Sequence, residues 1–414
     1  MNVHVPAYLR ELRYHLNDPL YKNSVFIFTT RLLTVVVGFV FWMIAARLYS
    51  VEDVGLAVAL ISSATLINLF STLGIEHSII RFFPAYSMAR VINSSIIIVT
   101  LTSLAIGVAY SIALILLSSD LAFVSNPVYL IIFVAFGVIS TIAVVTGNIF
   151  IAMRKTLYYL VQNVFISFRV LFLIPLIFLG SFGIVGSTMA AYIVAFLFVL
   201  FILSRFIRFD FRADRDYIRN SFSYSSRNYV ATLLSEVPFL LMPVIVLHVL
   251  GEADAARYYI AFTIGSFLMQ ITYTISTSLF VEGSHGESMK KNVIKSGIAI
   301  YSLLVPAFLC ICLFGEYVLN IYGSEYVAAL DLLKLVALSS FFQAIYSLYC
   351  AIQKVNMGMD SVIKLNLIMF CLFLGLSYAL MGLFGTTGVG YAMVVTFIVI
   401  DLLIIGICKK EKWI

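Results

Sequence analysis

Every second gap between the long apolar stretches of this chain is basic, and the gaps between those are nearly free of Lys and Arg. The basic gaps hold nineteen of the 26 Lys and Arg: Arg10, Arg13 and Lys22; Arg81 and Arg90; Arg154 and Lys155; Arg205, Arg208, Arg212, Arg215 and Arg219; Lys290, Lys291 and Lys295; Lys354; and Lys409, Lys410 and Lys412. The alternate gaps carry only Arg47 and Arg257. Basic residues near span ends stay on the cytoplasmic side, so the alternation predicts that each apolar stretch crosses a bilayer once, with both termini cytoplasmic. Five basic residues, Arg31, Arg169, Arg227, Lys334 and Lys364, fall inside the stretches, where an ionised group is costly unless it lines a watery path or pairs.

With 62% hydrophobic and 11% charged residues there is too little polar surface to clothe a soluble core. Crossing the hydrocarbon takes about 20 apolar residues. The chain supplies twelve such stretches, near 25–46, 54–79, 91–117, 128–151, 157–179, 183–204, 222–249, 257–281, 292–314, 326–352, 361–382 and 386–408. The fold class is therefore all-α and polytopic. A weak internal repeat divides it: Gly55-Leu56-Ala57-Val58-Ala59 lies opposite Arg257-Tyr258-Tyr259-Ile260-Ala261, Met153-Arg154-Lys155 opposite Ile352-Gln353-Lys354, and Gly183-Ile184-Val185-Gly186 opposite Gly385-Thr386-Thr387-Gly388. Two lobes of six helices around a central cavity follow: an N-terminal segment 1–24, an N-lobe 25–204, a basic linker 205–221, a C-lobe 222–408 and a tail 409–414. Each lobe has an even number of spans, so the two share one orientation. The spacing of the five linker arginines predicts a single helical stripe facing lipid phosphates.

Candidate site residues come from the polar groups within the stretches. Arg31 and Arg227 sit at similar depths in the first span of each lobe, and Arg169 and Lys364 form a second pair related by the repeat. Together with Arg81 they suit a diphosphate, because guanidinium forks match phosphate oxygens; for each alone, snorkelling or a structural ion pair is the plainer reading. Asn68 and Thr72, and in register Gln270 and Thr274, are expected to line the cavity, although small polar residues also tighten helix packing. Glu76, Glu236 and Asp401 are candidates for ion coupling; Asp331 and Lys334, one turn apart, are expected to neutralise each other. Pro238 and Pro243 should make the seventh span a hinge. Neither Cys nor His shows metal-ligand spacing, so no metal or cofactor is expected, and the net charge of +6 points to anionic lipid head groups rather than nucleic acid.

The run Arg47-Leu48-Tyr49-Ser50-Val51-Glu52-Asp53-Val54-Gly55, continuing through Leu73-Gly74-Ile75 to Arg81-Phe82-Phe83-Pro84, resembles the opening of the polysaccharide flippases, the O-antigen and capsule repeat-unit transporters of the multidrug/oligosaccharidyl-lipid/polysaccharide exporter superfamily. That resemblance implies a plasma-membrane transporter, not an enzyme, that turns over a polyprenyl-diphosphate-linked oligosaccharide by alternating access. It implies work beside a polysaccharide polymerase or glycosyltransferases, with Arg31, Arg81 and Arg227 as basic cavity residues. A cation-coupled multidrug antiporter of the same superfamily is the alternative. A polymerase or ligase of lipid-linked glycans ranks lower, because the outer gaps are too short for a catalytic domain.

Overall fold

The computed structural model describes residues 19–117, 126–210, 212–284, 289–356 and 358–410. Arg10, Arg13 and Lys412, with the side chains of Lys22, His77, Lys290 and Lys410, lie outside the described residues. The N-lobe comprises α1 (Pro19–Leu48), α2 (Val51–Thr72), α3 (Ile75–Phe82), α4 (Met88–Leu117), α5 (Pro127–Ala152), α6 (Thr156–Ser167), α7 (Arg169–Leu173) and α8 (Ser181–Leu203). The C-lobe comprises α9 (Arg215–Leu250), α10 (Glu252–Ser284), α11 (Met289–Tyr322), α12 (Leu330–Val355), α13 (Met359–Phe384) and α14 (Thr386–Lys410). Eleven helical stretches among the described residues are long and apolar enough to cross a membrane, α6 and α7 counting as one. The chain is a multi-pass membrane protein. The twelfth long helix, α10, is not among them, and its polar side chains explain why: Thr263, Ser266, Gln270, Thr272, Thr274, Ser276, Thr277 and Ser278. Packing of α2, α9, α11 and α12 around it buries Thr272 and Ser276, and Ser266, Thr274, Thr277 and Ser278 donate to carbonyls of their own helix.

The repeat is visible in where the helices begin. From N-lobe to C-lobe the starts are displaced by 201 residues for α2/α10 and α4/α11, by 203 for α5/α12 and α6/α13, and by 205 for α8/α14. The repeat therefore drifts through small insertions, and this corrects one expected register. Gly180, not Gly183, is the partner of Gly385: their dihedrals are φ 55°, ψ −135° and φ 57°, ψ −143°. Each accepts at its carbonyl a bond from the glycine three residues on, Gly183 N–H at 2.8 Å and Gly388 N–H at 3.0 Å.

Three further expectations change. The second span is not continuous to 79: Leu73 (φ 49°) and Gly74 (φ 74°) turn the chain out of α2, so Glu76 and Arg81 ride on the separate α3. A Cβ on Gly74 would lie 2.9 Å from Ser225 Cβ on α9, so the position needs glycine both for its φ and for its crossing. The fifth span breaks at Phe168, whose N–H bonds to Phe165 O, three residues back. The linker arginines do not share one helix: α8 ends at Leu203 and α9 starts at Arg215, where the Asp214 carboxylate accepts from Tyr217 N–H as its cap. Through Pro238 and Pro243 α9 runs on as one helix with both rings buried.

The first turns of α9 are bound to the N-lobe. Ser94 Oγ accepts from Asp214 N–H at 2.8 Å, Tyr217 and Ser95 hydroxyls meet at 3.0 Å, and Tyr229 donates to Phe70 O at 2.9 Å. Elsewhere the two ends of the bundle differ. At the end away from the basic gaps one apolar core takes side chains from both lobes, including Phe41, Trp42, Val54, Ala57, Ala255, Ala256, Tyr258, Leu319 and Tyr322. Toward the basic gaps there are separate cores, one of Val91, Ile92, Ile149 and Phe150 in the N-lobe and one of Leu268, Ile300, Leu304 and Ala344 in the C-lobe.

Candidate functional site

Where the cores separate, a cavity of about 520 Å³ lies between α1, α10 and α11, lined by Val35, Ser266, Phe267, Gln270, Ile271, Thr274, Ile275 and Leu303. Ser266, Gln270 and Thr274 recur every four residues and so form one polar stripe on α10. Phe267, Ile271 and Ile275 make an apolar stripe beside it, extended by Val35 and Leu303 across the cleft. The walls thus offer hydrogen bonds along one edge and hydrocarbon along the other. Of the expected lining residues, Gln270 and Thr274 line this cavity. Asn68 and Thr72 are turned to packing: Asn68 Oδ1 accepts from Ser140 at 2.9 Å and Thr141 at 2.7 Å, and Thr72 is 3% exposed and donates to Leu69 O. The C-lobe repeats the α2–α5 contact in α10–α12, where Thr272 donates to Gln343.

On α1, Arg31, Val35 and Gly38 share a face, so the cation sits one turn from the cavity wall on its basic side. Arg31 is exposed and near enough to Tyr159 of α6 to affect it electrostatically. Arg227 and Lys364 are also exposed, and they share a level in the C-lobe: Asn366 donates to Ala231 O at 2.9 Å, tying α13 to α9 one turn or less beyond each. The expected symmetry is looser than the sequence suggested. Measured from the helix ends at Leu48 and Leu250, Arg227 lies six residues nearer the basic end than Arg31 does, roughly 9 Å at 1.5 Å per residue. Lys364 is five residues into α13, whereas Arg169 is thirteen beyond the start of α6, so these two are not equivalents. Arg81 is exposed on α3 at the basic end. No carboxylate among the described residues forms an ion pair with any of the five.

Arg169 stands apart. It follows the break in the fifth span, its guanidinium carbon lies 4.6 Å from the centre of the Phe41 ring, and its Nε is buried without a hydrogen-bond partner. Gly38 leaves room for it: a Cβ there would be 3.6 Å from Nη2.

Among the acidic candidates, Asp401 is 5% exposed with both carboxylate oxygens buried and without hydrogen-bond partners. Glu236 is exposed and electrostatically linked to Tyr346, which itself donates to Asn366. Glu76 on α3 faces Tyr229. Asp331 and Lys334 form no ion pair among the described residues.

The contacts that seal the other end were not anticipated. Trp42 and Tyr259 meet edge to face at 4.9 Å across the lobes, and Arg47 donates to Ile321 O at 2.8 Å and Asn320 O at 2.5 Å. Gly55 brings α2 so close to α10 that a Cβ would lie 1.8 Å from Glu252 O. The one available signal was Arg47 itself, a lone cation in a gap whose other charges are Glu52 and Asp53. Tyr49, in the turn between α1 and α2, donates to Leu173 O at 2.6 Å; burial, and behind it Asp53, hold its phenol above the usual range, so it stays a donor.

Comparison with known proteins places this geometry in context. The sequence pattern of the family described as polysaccharide biosynthesis protein matches residues 20–280. A search of curated proteins finds no significant match. Among solved structures, a multidrug resistance MATE family transporter of the MOP superfamily in its inward-facing conformation aligns with TM-score 0.70 at 15% identity, covering 91% of this chain and 96% of that one. The lipid II flippase MurJ in an inward closed conformation aligns with TM-score 0.70 at 14% identity, covering 94% and 87%. An outward-facing conformation of a MATE family transporter aligns less well, with TM-score 0.60 at 14% identity and coverage of 92% and 93%. Identities this low speak to the fold, which is that of the MOP-superfamily transporters.

Proposed function

Because the chain belongs to the family of polysaccharide biosynthesis proteins, whose pattern matches more than half of it, we propose that it is a flippase carrying a polyprenyl-diphosphate-linked oligosaccharide from the cytoplasmic to the outer leaflet of the plasma membrane by alternating access. Its termini are then cytoplasmic, and its product feeds a polymerase or glycosyltransferases. The observation that carries this reading is the two-sided cleft between α1 and α10, polar along Ser266, Gln270 and Thr274 and apolar along Phe267, Ile271 and Ile275, with Arg31 one turn away. A ligand with a charged head, a sugar chain and a hydrocarbon tail has a counterpart for each part. Arg31, Arg227 and Lys364 take the diphosphate, with Arg81 at the entrance; bidentate, charge-assisted bonds to phosphate favour guanidinium there. The polar stripe meets sugar hydroxyls, and the tail lies along the apolar edge. Asp401, whose buried oxygens lack partners, is the leading candidate for a coupling proton or sodium ion, ahead of Glu236 and Glu76.

The test is transfer of fluorescent prenyl-diphosphate trisaccharide across proteoliposome membranes. Arg31→Ala with Arg227→Ala should slow transfer by at least about tenfold, since each removes a charge-assisted bond worth roughly 1.5–3 kcal/mol. Transfer at the wild-type rate would refute the assigned roles, and robust efflux of a cationic drug by the same vesicles would favour the antiporter.

A further inference from the structure

Resting on that reading, we propose that Arg169 holds not the diphosphate but an acidic sugar of the glycan, so that the substrate class is a lipid-linked oligosaccharide bearing a carboxylate. The first argument is position. Gly38 and Phe41, against which the guanidinium lies, are seven and ten residues beyond Arg31 on the same helix, about 10 to 15 Å further from the basic end. A diphosphate gripped at Arg31 is too short to reach Arg169, whereas a short oligosaccharide extending from it along α1 arrives there.

Chemistry supplies the second argument. Arg169 keeps a charge inside the bundle with no carboxylate to neutralise it; the groups that feel its charge are Tyr192 of α8 and Tyr259 of α10. Its Nε is buried and unpaired, while the terminal nitrogens are not fully enclosed, so the unmet hydrogen-bonding capacity of the fork lies inside the bundle. A cation–π contact with Phe41 offsets only part of the cost of desolvating a buried ion. An anionic ligand supplies the remainder. Two tyrosines beside a guanidinium suit a uronic acid: the fork takes the carboxylate, and the rings give apolar faces and hydroxyls to the pyranose.

The third argument is asymmetry. At the displacement of 203 residues that relates α6 to α13, the counterpart of Arg169 is Leu372. A cation needed only for common architecture would be expected in both lobes; this one is in the N-lobe alone, where Tyr259 of the C-lobe reaches it through the sealed end.

Purified full-length protein in nanodiscs should bind a glucuronate-terminated trisaccharide about tenfold more tightly than its glucose-terminated analogue, as one charge-assisted hydrogen-bond pair would provide. Arg169→Gln should bring that ratio to about one, and Arg169→Lys should restore part of it. Inorganic pyrophosphate, the probe for the diphosphate site, should bind together with the glucuronate sugar in the wild type and should be weakened by Arg31→Gln. Equal binding of the two sugars by the wild type overturns the proposal, as does competitive displacement of the acidic sugar by pyrophosphate, which would assign Arg169 to the diphosphate. Neither of these readings needs a variant to fold. Failure of pyrophosphate to bind with the sugar preference intact would instead sink the diphosphate assignment and leave the acidic subsite standing.

Discussion

The two ends of this bundle are built from the same twelve long helical stretches among the described residues and differ in how the lobes meet. Away from the basic gaps Phe41, Trp42 and Val54 of the N-lobe share a core with Ala256, Tyr258 and Leu319 of the C-lobe, and α2 touches α10 backbone to backbone at Gly55. Toward the basic gaps there are two separate cores, and the lobes are joined through the first turns of α9, whose Tyr217 is buried in the N-lobe core. Apolar packing, bordered by Arg47, Tyr49 and Arg169, seals one end; the other end holds Arg31, Arg81, Arg227 and Lys364, and the polar stripe of α10 and the cavity lie between. A rocking transporter has to dissolve the first kind of contact and create its like at the opposite end.

The largest effect should come from Gly55→Val. With a Cβ due 1.8 Å from Glu252 O, the neighbour is backbone and cannot turn away, so α2 and α10 must part. Overpacking of this kind costs roughly 1–3 kcal/mol, enough to move the balance of states by about five- to 150-fold. Labelling of Leu319→Cys, wholly buried in the shared core, by an impermeant maleimide should rise accordingly in a background freed of the five native cysteines. Unchanged labelling would mean that the sealed end is not held shut by this approach.

Much of this plan could be read from the chain. The alternation of gaps rich and poor in Lys and Arg counts the crossings, because crossing number follows from where basic charge is allowed, not from tertiary detail. Gly180 and Gly385 show the limit: the turn was found, yet aligned three residues off, since letters alone do not carry φ. The pairing of Arg169 with Lys364 failed for a related reason. Insertions shift the repeat from 201 to 205 residues, and a weak match cannot follow that drift. Trp42 against Tyr259, and the cage around Arg169, were illegible because they join helices distant in sequence whose facing sides are set by how the lobes dock. The break at Phe168 has no proline or glycine to announce it.

A smaller change separates the ends. Gly74→Ala puts a methyl 2.9 Å from Ser225 Cβ in a residue with φ 74°, a strain of roughly 2 kcal/mol from the left-handed backbone and the crowding together. Purified protein should unfold a few degrees earlier, while Leu319→Cys stays protected, because this contact lies at the α9 crossing and not in the shared core. Labelling as fast as in Gly55→Val would show that the two ends move as one, and the distinction drawn here would fall.

The smallest effect tests the two basic residues that depart from the charge alternation. Arg47 and Arg257 both bond to carbonyls around the end of α11, Arg47 to Asn320 and Ile321 and Arg257 to Glu325 at 3.1 Å. Guanidinium groups there satisfy carbonyls that a helix end leaves without donors and complement its negative pole. Their difference is topological. Arg47 reaches across from the N-lobe, whereas Arg257 stays within its own lobe and also meets Asp254 at 3.0 Å. Arg47→Gln should therefore raise Leu319→Cys labelling about fivefold, the equivalent of about 1 kcal/mol for a half-exposed charged bond. Arg257→Gln should lower thermal stability slightly without exposing that cysteine. Equal labelling of the two variants would mean that Arg47 acts as a helix cap only, and the seal would then rest on Gly55 and the aromatic pair alone.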